Sequence, residues 1–477
     1  MLLAIGSMPV QRPVLRRLVG VAVVLLGLEM GARDALADET APAPRAITLS
    51  EALAYARSHQ PQLRAALARV SAARAQAVVP RSHWLPSVGA TAQIFGGTTN
   101  NTTASYLSTA YVDVPRIGGT RSVAAQGSTL APYASTVVGV GLTQEVFEFG
   151  RIAAQSAAAD ALIEVGKHDA DAVRLDIELG VEEAFFAVQA AKAVLQASEG
   201  ALERARAHRD LAQAGVGSGL RSPIELTRAE ADLQRFDIGR IRARGGVTVS
   251  QSVLAAAIGS SELSLDASAA GPTIADMPAL ANAIQQASAR DPRLMQTLAQ
   301  LKAQERQSRA VGAALRPDVF LTGTLSGRAG GAAPTNGDRA DYSGLLPSVP
   351  NWDAGLILSW PLFDGTITAR RDASRAQEQV RRDEIDAARQ FVVANVQQAY
   401  VHVEVARATL PGLRRAVEAA LANYAQADAR FKAGLGTSVE LADAEGLRAR
   451  SEIDLAIGAF ELVRARAMFG RAIAEGL

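Results

Sequence analysis

The segment SHQPQLRAALARVSAARAQAVVPRSHWLPSV, residues 58–88, aligns without a gap on ARDPRLMQTLAQLKAQERQSRAVGAALRPDV, residues 289–319, at an offset of 231. Pro61, Leu63, Leu67, Ala68, Ala72, Gln76, Pro86 and Val88 fall on Pro292, Leu294, Leu298, Ala299, Ala303, Gln307, Pro317 and Val319. In an alanine-rich chain the placement of these identities matters more than their number. A proline opens each copy, and Leu63, Leu67 and Val70 (Leu294, Leu298 and Leu301 in the twin) predict an i, i+4, i+7 helical face. A second proline closes each copy, ahead of alternating residues that read as a strand. The rest of the chain repeats in the same order, so it divides into two similar halves, each helix–strand–strand–helix: residues 38–258 and 279–477, joined by a Ser/Asp/Gly/Pro linker at 259–278. The period is too long for a solenoid.

Outward from this pair, the first 37 residues read as a secretory signal peptide. Arg12, Arg16 and Arg17 precede an apolar run from Leu18 to Leu28, and Ala35-Leu36-Ala37 is a small-residue cleavage site. Its removal takes four arginines and two acids from the 49 basic and 48 acidic residues, leaving a net charge of −1 that gives nucleic acid no purchase. The chain has no cysteine. Disulfides, thiolate zinc sites, cysteine nucleophiles and a lipidated N-terminal cysteine are thereby excluded. No later segment holds 18 uninterrupted apolar residues, so membrane contact must run through strands.

The strands alternate. Val88, Ala90, Ala92 and Ile94 are set against Gly89, Thr91 and Gln93; Val138, Val140 and Leu142 against Gly139, Gly141 and Thr143. The second half repeats this with Val319, Leu321 and Leu325, then with Ala354, Leu356, Leu358, Trp360 and Leu362. Each pair flanks a polar, Gly-rich loop. Long helical patterns follow Phe147-Glu148-Phe149-Gly150 and Phe363-Asp364-Gly365. They predict helices over about 151–214 and to Lys432, with a kink at Pro411, and rods of roughly 90 Å at 1.5 Å per residue. Gly215-Val216-Gly217-Ser218-Gly219 and Gly434-Leu435-Gly436 turn the chain back into helices at 223–258 and 438–472. A helix is also expected from an N-cap at Ser50 to about His83, bent or broken at Pro80, and another over 279–315.

Four strands of about ten residues can cross a bilayer but cannot close on themselves, and open edges are not tolerated in lipid. Two copies make a barrel filled by its own side chains; three make twelve strands with room for a lumen. A soluble periplasmic helical-hairpin adaptor is the alternative of another class, and it leaves four amphipathic strands unexplained.

The chain resembles the TolC-like outer-membrane efflux and secretion family over its mature length. The residues that carry the likeness are Leu85-Pro86-Ser87-Val88, Phe147-Glu148-Phe149-Gly150-Arg151, Pro361-Leu362-Phe363-Asp364-Gly365 and the two Gly-rich turns. The resemblance implies a mixed fold: a homotrimer with a 12-stranded barrel in the outer membrane, and long helical hairpins forming a tunnel across the periplasm, narrowed at the helical turns. It also implies two partners, a periplasmic adaptor and an inner-membrane ABC exporter or proton-driven pump. One-step (type I) secretion of a protein such as a repeat toxin is the expected task, on the missing lipidation cysteine; multidrug or metal efflux is the alternative.

At the turns, 222–230 aligns with 437–445. Glu440 and Asp443 share a helical face, and threefold symmetry would gather six carboxylates on one axis as a gate or selectivity filter. The family's gating acids match these positions. Familiar members latch a tyrosine and an arginine of the second turn onto an acid of the first; here those positions are Phe431 and Gly436, while Glu225 keeps the acid. Lys432, Arg221 and Arg228 are the cations available to substitute. No cofactor or metal site is expected, and no enzymatic activity: His59, His83, His168, His208 and His402 are scattered, and no P-loop Lys-Ser/Thr follows Gly219.

Overall fold

The computed structural model describes residues 45–98, 132–260, 265–268, 276–329 and 349–476. The signal-peptide reading and the loops between paired strands lie outside them. The element order is β1 (Arg45–Ile47), α1 (Leu49–His59), α2 (Pro61–Ser82), β2 (Ser87–Thr98), β3 (Pro132–Phe147), α3 (Arg151–Gly217) and α4 (Pro223–Ile258), then β4 (Leu265–Ala267), α5 (Leu280–Arg290), α6 (Pro292–Ala313), β5 (Asp318–Ala329), β6 (Val349–Ser359), α7 (Gly365–Lys432) and α8 (Ser438–Ala472). Residues 265–267, inside the stretch read as a linker, thus form a strand, and it pairs in parallel with β1.

The four long strands form one antiparallel sheet in the order β2-β3-β5-β6. They run 11–16 residues, longer than the ten expected. Register settles which side chains share a face. Val88 pairs with Leu142, Ala90 with Val140, Val140 with Leu325, and Leu325 with Trp352. The result is a largely apolar face, interrupted by Thr136 and Gln144, on which Val88, Val140, Leu325, Trp352 and Leu356 stand exposed. The opposite face carries Thr91, Thr324 and Ser326, all sheltered from solvent. An apolar outer face and a polar inner one are the signature of a strand set between lipid and a wet lumen. Among the described residues no helix is long and apolar enough to cross a membrane.

Helices continue the strands. Nearest the sheet α2, α3, α6 and α7 lie side by side, and further down α4, α3, α8 and α7 do so. α3 and α7 run through both layers at 67 and 68 residues, about 100 Å each. The seams are built from small side chains: Ala170, Ala184, Ala201, Ala205 and Ala212 are buried along α3. In α7 the buried positions Ile385, Val392, Val396, Ala399, Val403 and Ala406 follow the 3.5-residue spacing of a coiled-coil seam.

Several expectations are corrected. Thr48, not Ser50, caps α1, in a capping box with Glu51. The helix breaks at Pro61 rather than Pro80, and its twin breaks at Pro292, because a proline at the first helical position starts a new helix. Pro80 lies within the last turns of α2 and does not break it, and α7 continues as one helix through Pro411, where a kink is expected. Leu67 is not part of the buried face of α2: Leu63, Ala66, Val70 and Ala77 are, while Leu67 and Val78 lie exposed on the outer edge of the sheet-proximal layer.

The two strand-to-helix junctions solve one problem differently. α7 is capped by Asp364, whose carboxylate accepts from the Thr366 and Ile367 amides at 2.7 and 3.2 Å. α3 follows Gly150, and its first amides, of Ile152 and Ala153, donate to the Glu148 carboxylate. Beside it Arg151 bridges Glu145 of β3 and, at 3.3 Å, Asp318 of β5, all three largely shielded from solvent. Removing one partner of a shielded pair strands the others, at a cost of about 3 kcal/mol. Arg151→Met is therefore expected to lower the unfolding temperature of the detergent-solubilised protein clearly, and Asp318→Asn, which leaves the pair with Glu145, to lower it less.

Candidate functional site at the helical turns

The turns between α3 and α4 and between α7 and α8 are the same structure 215 positions apart. In each the helix ends in a glycine at φ +73°, Gly219 and Gly434, a conformation open to glycine at no steric cost. The amides of Leu220 and Arg221 donate to the Gly215 carbonyl at 3.0 and 3.1 Å; those of Leu435 and Gly436 donate to the Arg430 carbonyl at 2.9 and 3.0 Å. The next helices start at the equivalent N-caps Ser222 and Thr437, and the Thr437 hydroxyl accepts from the Glu440 amide at 3.2 Å.

On this common backbone the side chains are exchanged. Where the first turn has Gly215 on the helix and Arg221 in the loop, the second has Arg430 on the helix and Gly436 in the loop. Each glycine makes room for its arginine. A methyl group at Gly215 would come within 2.6 Å of the Arg221 Cδ, and one at Gly436 within 3.2 Å of the Arg430 Cβ and 3.1 Å of the Phe431 backbone nitrogen. The second turn thus cannot carry a loop cation without moving its own backbone.

The cation that joins the hairpins is Arg221. One end of its guanidinium holds Glu225 at 3.0 Å, and the other donates to the Phe431 carbonyl at 2.9 Å. Its centre sits 3.7 Å from the centroid of the Phe431 ring, itself fully buried. A charge-assisted hydrogen bond and a cation–π contact act together on one residue of the other hairpin. Of the candidate tip contacts, Glu225 and Phe431 are brought together through Arg221. Lys432 is not part of this bridge; it pairs within its own helix with Asp428 at 2.7 Å. Arg228 is exposed and makes no ion pair among the described residues. Glu440 on the first turn of α8 and Asp443 on the second both stand exposed, with Arg430 3.9 Å from the Glu440 carboxylate.

Above the latch lies a cavity of about 140 Å³, lined by His208 and Leu211 of α3, Phe236 of α4, Tyr424 of α7 and Leu441 of α8. Its upper rim is a charged brace that sequence reading missed. Arg204 of α3 holds the buried Glu445 of α8 with Nε at 2.8 and 2.9 Å from the two carboxylate oxygens. Arg448 holds Glu452 at 3.0 Å, and both guanidiniums lie over the Tyr424 ring. Burial pushes the Glu445 carboxyl upward, and Arg204 and Arg448 pull it back. The signal that would have revealed the Gly/Arg exchange was present in the 215-position alignment; the brace has no such signal, since its partners are 241 residues apart.

The two turns form one end of a duplicated set of long helices, where Arg221 joins one hairpin to the other. Residues 52–260 and 283–467 match the outer membrane efflux protein family, to which this chain belongs. Such a chain is an outer-membrane channel component, with its strands in the outer membrane and its helices in the periplasm, and not an enzyme. Protein CyaE of Bordetella pertussis is 27% identical over 442 residues, covering 90% of this chain and 86% of that protein. The fusaric acid resistance protein FusA of Burkholderia cepacia is 28% identical over 207 residues, 41% of this chain and 36% of that one. Two solved structures share the fold. The Campylobacter jejuni CmeC outer membrane channel superposes with a TM-score of 0.72 at 15% identity, over 95% of this chain and 94% of that one. The outer-membrane channel OprN gives 0.69 at 21%, over 90% of each.

The latch carries a direct expectation. Replacing Arg221 by Met keeps the stem that packs on Gly215 and removes the charge, so about 2 kcal/mol of closure should be lost, a shift of about thirtyfold toward the open tip. Single-channel recording should show a raised open probability for Arg221→Met and, through displacement of the same side chain, for Gly215→Val.

Proposed function

We propose that three copies of this chain form a conduit through the outer membrane, closed by their helical turns and driven through a periplasmic adaptor by an inner-membrane ABC exporter. The observation that carries this reading is the sheet β2-β3-β5-β6. It is largely apolar on one face and polar on the other, and each of its two edge strands has no second neighbour among the described residues. A second copy supplies the missing neighbour on each side, and three give twelve strands, the number the lumen requires. The helices support the same operation. α7 forms one edge of the helical layers and presents exposed Phe391, Val401 and Val405; α4 forms the opposite edge of the lower layer and presents Ile238, Ile241, Val249 and Val253. Apolar stripes on opposite edges of a repeating unit are what a closed ring buries.

For cargo, one-step secretion of a protein is the reading favoured by the absence of a lipidation cysteine. Efflux of a small molecule is supported by the partial likeness to a fusaric acid resistance protein. Deleting the gene distinguishes them. Loss of a secreted protein with unchanged drug and fusaric acid tolerance is the expected result; intact secretion with raised sensitivity would reverse the assignment.

The exposed pair Glu440 and Asp443 is placed in this reading as the gate and selectivity ring, three copies of each around the axis. Carboxylates in a confined lumen act on ions more strongly than on an open surface. In planar bilayers Glu440→Gln with Asp443→Asn should lose cation preference and block by multivalent cations. Glu225→Gln, which releases one hold on Arg221, should loosen closure with little change in selectivity. Unchanged ion preference in the double variant would move the constriction elsewhere.

A further inference from the structure

The latch has a titratable group built into its back. His208 projects from α3 against the ring of Phe431, centroids 4.9 Å apart and rings at 69°, on the residue whose carbonyl and other ring contacts belong to Arg221. Its Nε2 is buried in the wall of the cavity and has no hydrogen-bond partner among the described residues. Carboxylates face it from every neighbouring helix, Asp232 and Glu225 from α4, Asp428 from α7 and Glu445 from α8, yet each is already taken. Asp232 pairs with Arg235 at 3.1 Å, Asp428 with Lys432 at 2.7 Å, Glu225 with Arg221 at 3.0 Å and Glu445 with Arg204 at 2.8 Å. An imidazolium formed here would be buried, would have to share counter-charges already paired with other cations, would lie close to the Arg221 guanidinium, and would compete with it for one aromatic ring.

We propose that His208 is a proton-operated release for the tip: taking up a proton on the periplasmic side expels its imidazole from behind Phe431 and opens the Arg221 latch. The inference rests on the reading of these turns as the closure of the conduit. Burial is the main reason the imidazole holds its proton less well in the latched state than in water, with Arg221 acting in the same direction and Asp232, Glu225 and Asp428 against it. A base whose affinity is depressed in one state destabilises that state once the pH falls below its ordinary value. Closure is therefore complete above about pH 6.5 and weakens as the pH drops below it. The periplasm follows the external medium, so such a channel would respond to an acidified environment without any change in its pump.

The chain has no cysteine, so Leu220→Cys and Leu435→Cys, the exposed apices of the two turns, can carry the only spin labels in the full-length protein. Pulsed dipolar distances would be measured at about pH 7.5 and about pH 5.5, on either side of the ordinary imidazole value, in trimers diluted with unlabelled chains. Conductance would be recorded at the same two values. The labels should separate and the open-to-closed ratio should rise in acid. His208→Phe, which fills the same space without titrating, and His208→Gln should both abolish the response. A response that persists in both variants, or a native protein that does not respond, overturns the proposal. Arg221→Met separates this failure from that of the closure reading. If it opens the tip at both pH values the latch stands whatever His208 does; if it changes neither distance nor conductance, the turns are not the closure.

Discussion

Backbone amides and carbonyls at the edge of a sheet cannot be left facing hydrocarbon, and in this chain that constraint sits at the outer sides of β2 and β6. No side-chain adjustment within one copy can satisfy it. Both edges must meet another copy, and because the helices continue the strands, the same geometry runs down the length of the molecule. β2 leads into the α2/α4 side and β6 into α7, so an edge strand and an edge helix stand on the same flank. The apolar side chains left exposed on those flanks, Leu67 and Val78 on α2 among them, have a common explanation in this arrangement.

The helical seams pose a different problem. Alanine lets helices approach closely but offers little shape to fix how far one has slid along another. Fixed charge pairs supply that register at three levels. Arg151 with Glu145 and Asp318 does so where strand becomes helix. Lower down, Asp176 of α3 holds both Arg293 of α6 and Arg471 of α8, at 3.0 and 2.6 Å, where the layers exchange α2 and α6 for α4 and α8. Near the tip Arg204 and Glu445 repeat the device. Exposed pairs of this kind add little to stability individually, and their value here is positional.

Duplication gives two turns with one backbone, and the Gly/Arg exchange makes them unequal. Arg221 adds a charged bridge between the hairpins beside that of Arg204 and Glu445, and one of its acceptors is a main-chain carbonyl, the Phe431 oxygen, which cannot be lost by titration.

The tandem repeat, the alternation of the strands and the long helices were legible in the residues, because each depends on local periodicity or on self-similarity. The same local logic misplaced Leu67 in the core and the helix break at Pro80, since period counting ranks leucine above alanine while the seams here are built on alanine. At the tip the sequence supplied the right residue types, with Arg221, Glu225 and Phe431 all in view. It could not say that Arg221 rather than Lys432 or Arg228 makes the bridge, because that depends on which helix face meets which across a separation of 210 residues. By itself, then, the sequence determined the elements, their order and their duplication. Only the tertiary structure decided which charges are paired and which ring stands behind the latch, because contacts between distant helices are set by how their seams pack and not by the spacing of residues along either one.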